Sequence, residues 1–351
     1  NEKMAAEKDM TVGDPQKIIL NFTIPVFIGN VFQQVYSMAD TVIVGKFVGT
    51  KALAAVGATG TINFLILGFL LGLTAGFTVL TAQKFGAGDM ESMRKTVGNA
   101  AILSFIVAVA MTLVSMLGMR WLLTFMNTPE DIFDDAYTYI MIICGGIFTQ
   151  VLYNLLSSIL RALGNSKTPL YFLLLSAGLN IVLDLVLIIY FHMGVAGAAY
   201  ATVISQGVSG FLCLIFIIKK VPVLHMEKGE FRLEKNLSIQ QLKVGFMGLQ
   251  YSITAIGTMM VQSALNMLGS IAVAAFTAAN KIENLLTQAF GAQGVTMATY
   301  CAQNMGAGRP DRIRKGFRAA DMQGFLYGIG AGIFFIFAGK YLTYLFLSEN
   351  V

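Results

Sequence analysis

The chain has 351 residues, 56% hydrophobic and only 12% charged, with a mean hydropathy of +0.70. Soluble domains carry roughly twice that share of charge, so a water-soluble globule is excluded and a polytopic membrane protein is expected. The net charge of +5, three scattered cysteines and two histidines leave no nucleic-acid patch, disulfide framework or His-based metal cluster.

Nine apolar runs are each long enough to cross about 30 Å of hydrocarbon at about 1.5 Å per residue. They lie near 17–44, 53–82, 96–126, 134–160, 168–191, 195–218, 240–266, 272–303 and 318–347. Their length and lack of strict alternation predict helices rather than barrel strands.

The first run carries Gln33, Tyr36 and Asp40 at three-and-four spacing, so one helical face is polar, with Asp40 near its far end. Pro25 interrupts the same run and predicts a bend. The second run ends in AQKFGAGDMESMRK, whose glycines read as helix caps because no GK[ST] follows. ATP hydrolysis and enzymatic activity are therefore not expected.

An acidic cluster, PEDIFDD, separates the third and fourth runs, and the fourth carries Tyr139 and Asn154. The fifth, SAGLNIVLDLVLIIY, places Asn180 and Asp184 one helical turn apart in a segment otherwise suited to lipid. A charge at the bilayer centre costs at least about 2.5–3.5 kcal/mol, so such acids face a cavity and serve a function. Thr202 of the sixth run reaches a similar depth. Glu283, in the eighth, pairs with Lys281 or faces a central cavity.

Asp40, Asn180, Asp184 and Thr202 together offer carboxylate, amide and hydroxyl oxygens suited to Na⁺. The same two acids equally carry protons as a coupled pair. Structural roles compete at each position: Asp40 snorkels to the interface, Asn180 bonds a neighbouring backbone carbonyl, Thr202 packs between helices, and Tyr36 and Tyr139 sit as interfacial aromatics.

Of the 24 Lys and Arg, 18 fall on the N-terminal tail and the loops after even-numbered runs, Arg161 among them. The positive-inside rule then puts the N-terminus in the cytoplasm. Shifting the sequence by 220 residues lays AQKFGAGDMESMRK over AQNMGAGRPDRIRK, with 15 ungapped identities between 49 and 100. Six runs separate the copies, so both share one orientation, a parallel repeat common in secondary transporters. Under this shift Gly245 lies over Pro25 and Met260 over Asp40, so the second copy lacks the acid. Val351 falls over Asp131, so nine spans of a twelve-span plan are expected here: an N-terminal lobe at 1–218, a cytoplasmic linker at 219–239 and a partial C-terminal lobe at 240–351.

The stretches MADTVIVGKFVGTKALAAVG, RALGNSKTP, LNIVLDLVLI and GVAGAAYATVISQ resemble the signatures of the multidrug and toxic compound extrusion (MATE) transporters. The resemblance covers the whole chain and is strongest to a prokaryotic branch named after a DNA-damage-inducible protein. It implies an all-α membrane protein of two six-helix lobes around a central cleft. It further implies a monomer in the cell inner membrane that exports cationic amphipathic drugs in exchange for Na⁺ or H⁺, with lipids and substrates as its only partners and no cofactor. Asp184 would be the principal ion ligand or proton carrier, Asp40 its partner, and Asn180 and Thr202 neutral ligands. Gln33, Tyr36, Tyr139 and Asn154 would lie nearby, with Pro25 as hinge. A lipid-linked oligosaccharide flippase is the nearest alternative, but it calls for central basic residues, and none is evident in the first six runs. An intramembrane aspartyl enzyme and a passive channel are further alternatives, the first lacking its motifs.

Overall fold

The computed structural model describes residues 7–247 and 270–343, with isolated positions between 253 and 268. Among the described residues the regular structure is helical throughout, with no strand. Helix α1 (Pro15–Phe47) starts where the Asp14 carboxylate accepts the Gln16 N–H at 3.2 Å and Pro15 takes a position that needs no donor. Helices α2 (Thr50–Phe77) and α3 (Val79–Gly86) together make one 37-residue span. Asp89 caps α4 (Met90–Phe125) through the Ser92 N–H at 3.1 Å.

Helices α5 (Glu130–Gly145) and α6 (Ile147–Ala162) meet at a 47° bend. Gly146 sits at that bend because any Cβ there would run into the Val203 side chain. Helix α7 (Lys167–Leu185) passes into a single π-helical turn, Val186–Tyr190, and α8 (Val195–Lys220) follows. After the connecting segment come α9 (Lys235–Met247), α10 (Ser270–Gly306) and α11 (Pro310–Thr343).

Six of these spans are apolar enough to cross a membrane alone, and the bent α5–α6 pair makes a seventh. They coincide with expected spans one to six and nine. The eighth is a helix as expected, 37 residues long, but polar side chains such as Asn284, Gln293, Gln303 and Asn304 lower its hydropathy. It packs against α1, α3 and α11 instead of standing alone in lipid. Beyond Met247, the seventh expected span lies mostly outside the described residues. Pro25 is buried in α1, and the helix runs through it without a break.

Two apolar clusters fill the first six spans. One joins Val44, Leu70, Ile140, Ile143 and Ala198; the other joins Phe77, Met93, Leu160 and Val221. Large apolar side chains such as Leu117 and Trp121 point outward instead, as lipid solvent allows.

Residues that the 220-residue shift places in register meet each other. A Cβ on Gly86 would collide with the Gln303 carbonyl, and a Cβ on Gly306 with the Gln83 carbonyl. The two GAG turns therefore allow a reciprocal backbone approach that no other residue type permits. The segments that precede α1 and α9 behave alike. Arg312 donates to the carbonyls of Met10 at 3.2 Å and Gly13 at 3.0 Å, tying the first segment to the second copy. Arg94 reaches Glu230 at 2.8 Å, and Asn99 accepts the Glu234 N–H at 2.8 Å, tying the second segment to the first copy. Met10 and Glu230 are themselves 220 residues apart.

Candidate functional site

Helix α7 packs on both α1 and α8, and α5 packs on α8. This arrangement brings the polar face of α1 to the polar turn of α7. Asp184 is 0% exposed and Asn180 3%. The Asp40 and Asp184 side chains come within hydrogen-bonding reach of each other. With both ionised the carboxylates have no hydrogen to share, whereas one proton lets them bond to each other; no other donor among the described residues serves Asp184 or Oδ1 of Asp40. Both oxygens of Asp184, Oδ1 of Asp40 and Oδ1 of Asn180 are sealed from solvent and unbonded.

Tyr36 and Tyr139 complete the cluster, each within electrostatic range of both acids. Tyr139 is buried and Tyr36 half-buried, so neither behaves as an exposed interfacial aromatic. Thr202 spends its hydroxyl hydrogen on the Ala198 carbonyl, 3.2 Å away and one turn back in α8, which leaves its lone pairs available. Asn154 is half-buried on α6, and Gln33 is exposed on α1. Glu283 is exposed on α10, apart from the two acids, and the Lys281 side chain lies outside the described residues. Met260 is 70% exposed.

Among the described residues no three His, Cys, Asp or Glu side chains gather as a polydentate metal centre. The chemistry on offer is that of a buried acid and a half-buried one with an amide oxygen beside them. Such a pair takes up one small cation, or a proton shared between the carboxylates, and releases it when the helices part.

Three features escape a reading of the sequence. The π turn begins two residues after Asp184, and such turns often sit at functional positions. Gln150 is buried with an unbonded Oε1. Arg161, assigned by the sequence to a cytoplasmic loop, instead occupies the last turn of α6 and lines a cavity. Arg161 stands one residue before the end of α6, so it is not a central basic residue of that span.

The MatE family model matches residues 25–186 and 247–351. The chain belongs to the MatE family. Its relatives include the probable multidrug resistance protein YpnP of Bacillus subtilis (strain 168), 32% identical over 343 residues, 97% of this chain and 76% of the relative. An FAD transporter of Shewanella oneidensis is 26% identical over 306 residues, 85% of this chain and 67% of the relative. A MATE transporter crystallised in complex with MaL6 superposes with a TM-score of 0.92 at 25% identity, over 99% of this chain and 77% of that one. The MatE assignment and the apolar helices make this a multi-pass membrane protein of a transporter family, and its all-helical architecture matches the solved MATE structures.

Proposed function

We propose that this MatE protein is a secondary active exporter that exchanges Na⁺ or H⁺ for cationic amphipathic compounds by alternating access. The observation that carries the reading is the Asp40–Asp184 pair, Asp184 buried and Asp40 half-buried beside it, with three of its four carboxylate oxygens sealed and unbonded. Two negative charges about 4 Å apart repel by roughly 4 kcal/mol at an effective dielectric near 20, so an empty, doubly ionised pair is unfavourable. A cation or proton relieves that repulsion, with Asp184 as principal ligand, Asp40 as its partner, and Asn180 and Thr202 as neutral oxygens.

Because the pair is assembled from α1 and α7, its occupancy biases how those helices pack, and a drug cation competes by favouring the opposite arrangement. Tyr36, Tyr139, Gln33 and Asn154 border the pair or line the path beside it, Pro25 supplies compliance in α1, and Glu283 faces the drug route. The two copies of the repeat form lobes around that route. The N-terminus is cytoplasmic, the membrane is the cell inner membrane, and the unit is a monomer. Multidrug-resistance names among the relatives support the substrate class.

The test is uphill movement of a cationic dye in vesicles carrying the full-length protein, with Na⁺ and pH gradients imposed separately. One gradient should drive accumulation, and Asp184→Asn should abolish it. Undiminished transport by that variant would remove the pair from the mechanism.

A further inference from the structure

A cavity of about 230 Å³ lies where the two copies of the repeat meet, well apart from the acid pair in its lining. Ser158 and Arg161 of α6 and Thr78 between α2 and α3 line it from the first copy, and Val295 and Thr299 of α10 from the second. The remaining walls are mostly alanine and glycine, which leave open space. On this measure a single water needs only roughly 10–15 Å³, so a polyatomic ligand fits.

Among the described residues Arg161 has no counter-charge. Its Nε is sealed and bonds to nothing, and among the described residues the guanidinium enters no salt bridge. Its titratable neighbour is Tyr153, whose hydroxyl donates to the Pro169 carbonyl at 3.0 Å. A guanidinium does not discharge by losing its proton, so a desolvated one requires an anion. Its planar fork of N–H groups matches the paired oxygens of a carboxylate or phosphate. Ser158 lies one turn before Arg161 on the same helical face, and Thr299 adds a hydroxyl from across the junction. Thr78 contributes less, since its hydroxyl already donates to the Ala75 carbonyl at 2.9 Å.

We propose that this cavity binds a small oxyanion, a phosphate or carboxylate group, held by Arg161 with Ser158 and Thr299. Because its walls come from both copies of the repeat, the bound anion clamps α6 to α10 and favours the arrangement seen here. The site is independent of the antiport reading and stands whichever ion that exchange uses.

The experiment measures thermal unfolding of the full-length protein in phosphatidylcholine nanodiscs, titrated with inorganic phosphate at constant ionic strength. Wild type should show a saturable rise in midpoint. Arg161→Gln should show none, and in phosphate-free buffer it should melt at or above wild type, because a half-buried, unpaired charge with a sealed Nε has been removed. Losing one charge-assisted contact is worth roughly tenfold or more in affinity, so Arg161→Lys should retain only weak binding. Ala298→Leu keeps the charge but fills the cavity and should abolish the rise, so the result does not depend on the arginine variants folding. If phosphatidylglycerol in the discs raises the midpoint while inorganic phosphate does not, the oxyanion comes from a lipid headgroup. No rise in wild type with either source, or an equal rise in Arg161→Gln and Ala298→Leu, overturns the proposal.

Discussion

Asp184 on α7 and Asp40 on α1 face each other within hydrogen-bonding reach, and among the described residues no other side chain donates to Asp184 or to Oδ1 of Asp40. A pair of this kind strains the fold for the sake of what it binds. Asp184→Asn removes one charge and supplies an N–H₂ that can donate to Asp40. Thermal stability of that variant should therefore rise, on the order of 1–3 kcal/mol, while ion-driven dye transport disappears. Calorimetry and vesicle transport on the same preparation check both halves. A variant that loses stability along with transport would point to a structural role for the carboxylate.

The reciprocal contact between the GAG turns predicts matched defects. Gly86→Ala and Gly306→Ala each drive a methyl group into a backbone carbonyl of the opposite copy. Overpacking of this kind costs typically about 1–3 kcal/mol, and a carbonyl cannot swing aside as a side chain can. Each variant should therefore disfavour this arrangement, exposing a cysteine placed at Ala302 to a membrane-impermeant reagent added from the cytoplasmic side. Gly57→Ala is the control: its Cβ meets open space within a helix, so it should be neutral or stabilising by up to about 1 kcal/mol.

Glu230 gives a pH dependence. Its hydrogen bond from Arg94 holds the carboxyl below the usual glutamate range. A lowered folded-state value means that this stabilisation is present above the unfolded glutamate pKa, near 4.3, and is lost as pH falls through the lower folded value. Wild type should unfold at a higher temperature than Glu230→Gln at neutral pH, and the two curves should converge in acid. A constant gap across the series would assign the difference to packing alone.

Arg312 tests the other segment. It donates to Asn304 Oδ1 at 3.0 Å as well as to the carbonyls of Gly13 and Met10. Arg312→Met leaves the buried Asn304 Oδ1 short of a donor, while the Met10 carbonyl keeps the Asn304 amide and the exposed Gly13 carbonyl turns to water, so it should cost about 1–3 kcal/mol. Protease sensitivity of the first fifteen or so residues should rise in parallel, since fraying ends are where cleavage concentrates.

Much of this arrangement is legible in the sequence, because helix length, charge placement and rare intramembrane acids are one-dimensional signals. Asn180 and Asp184 stand out as polar positions in an apolar run, and both prove buried. The GAG turns announce themselves through the repeat. What escapes is set by contact rather than composition. Residue 146 must be glycine because Val203 fills the space a Cβ would take, and nothing near residue 146 in the sequence says so. The π turn after Asp184 is written in ordinary apolar residues, Val186–Tyr190. Arg161 looks like a loop residue until α6 proves two residues longer than hydropathy suggests, and α10 looks uniformly lipid-facing until its polar residues find partners, as Gln303 does with the Ala162 carbonyl at 2.8 Å.

The segments ahead of α1 and α9 make the two halves of the chain resemble partners that have exchanged arms. Each half carries in its own sequence the piece that finishes the other: Met10 beneath Arg312, Glu230 beneath Arg94. Covalent continuity between Lys220 and Lys235 is then not what holds the halves in register. Each clasp is therefore made between the copies rather than within one, so a change at Arg94 or Arg312 is felt in the opposite half of the chain.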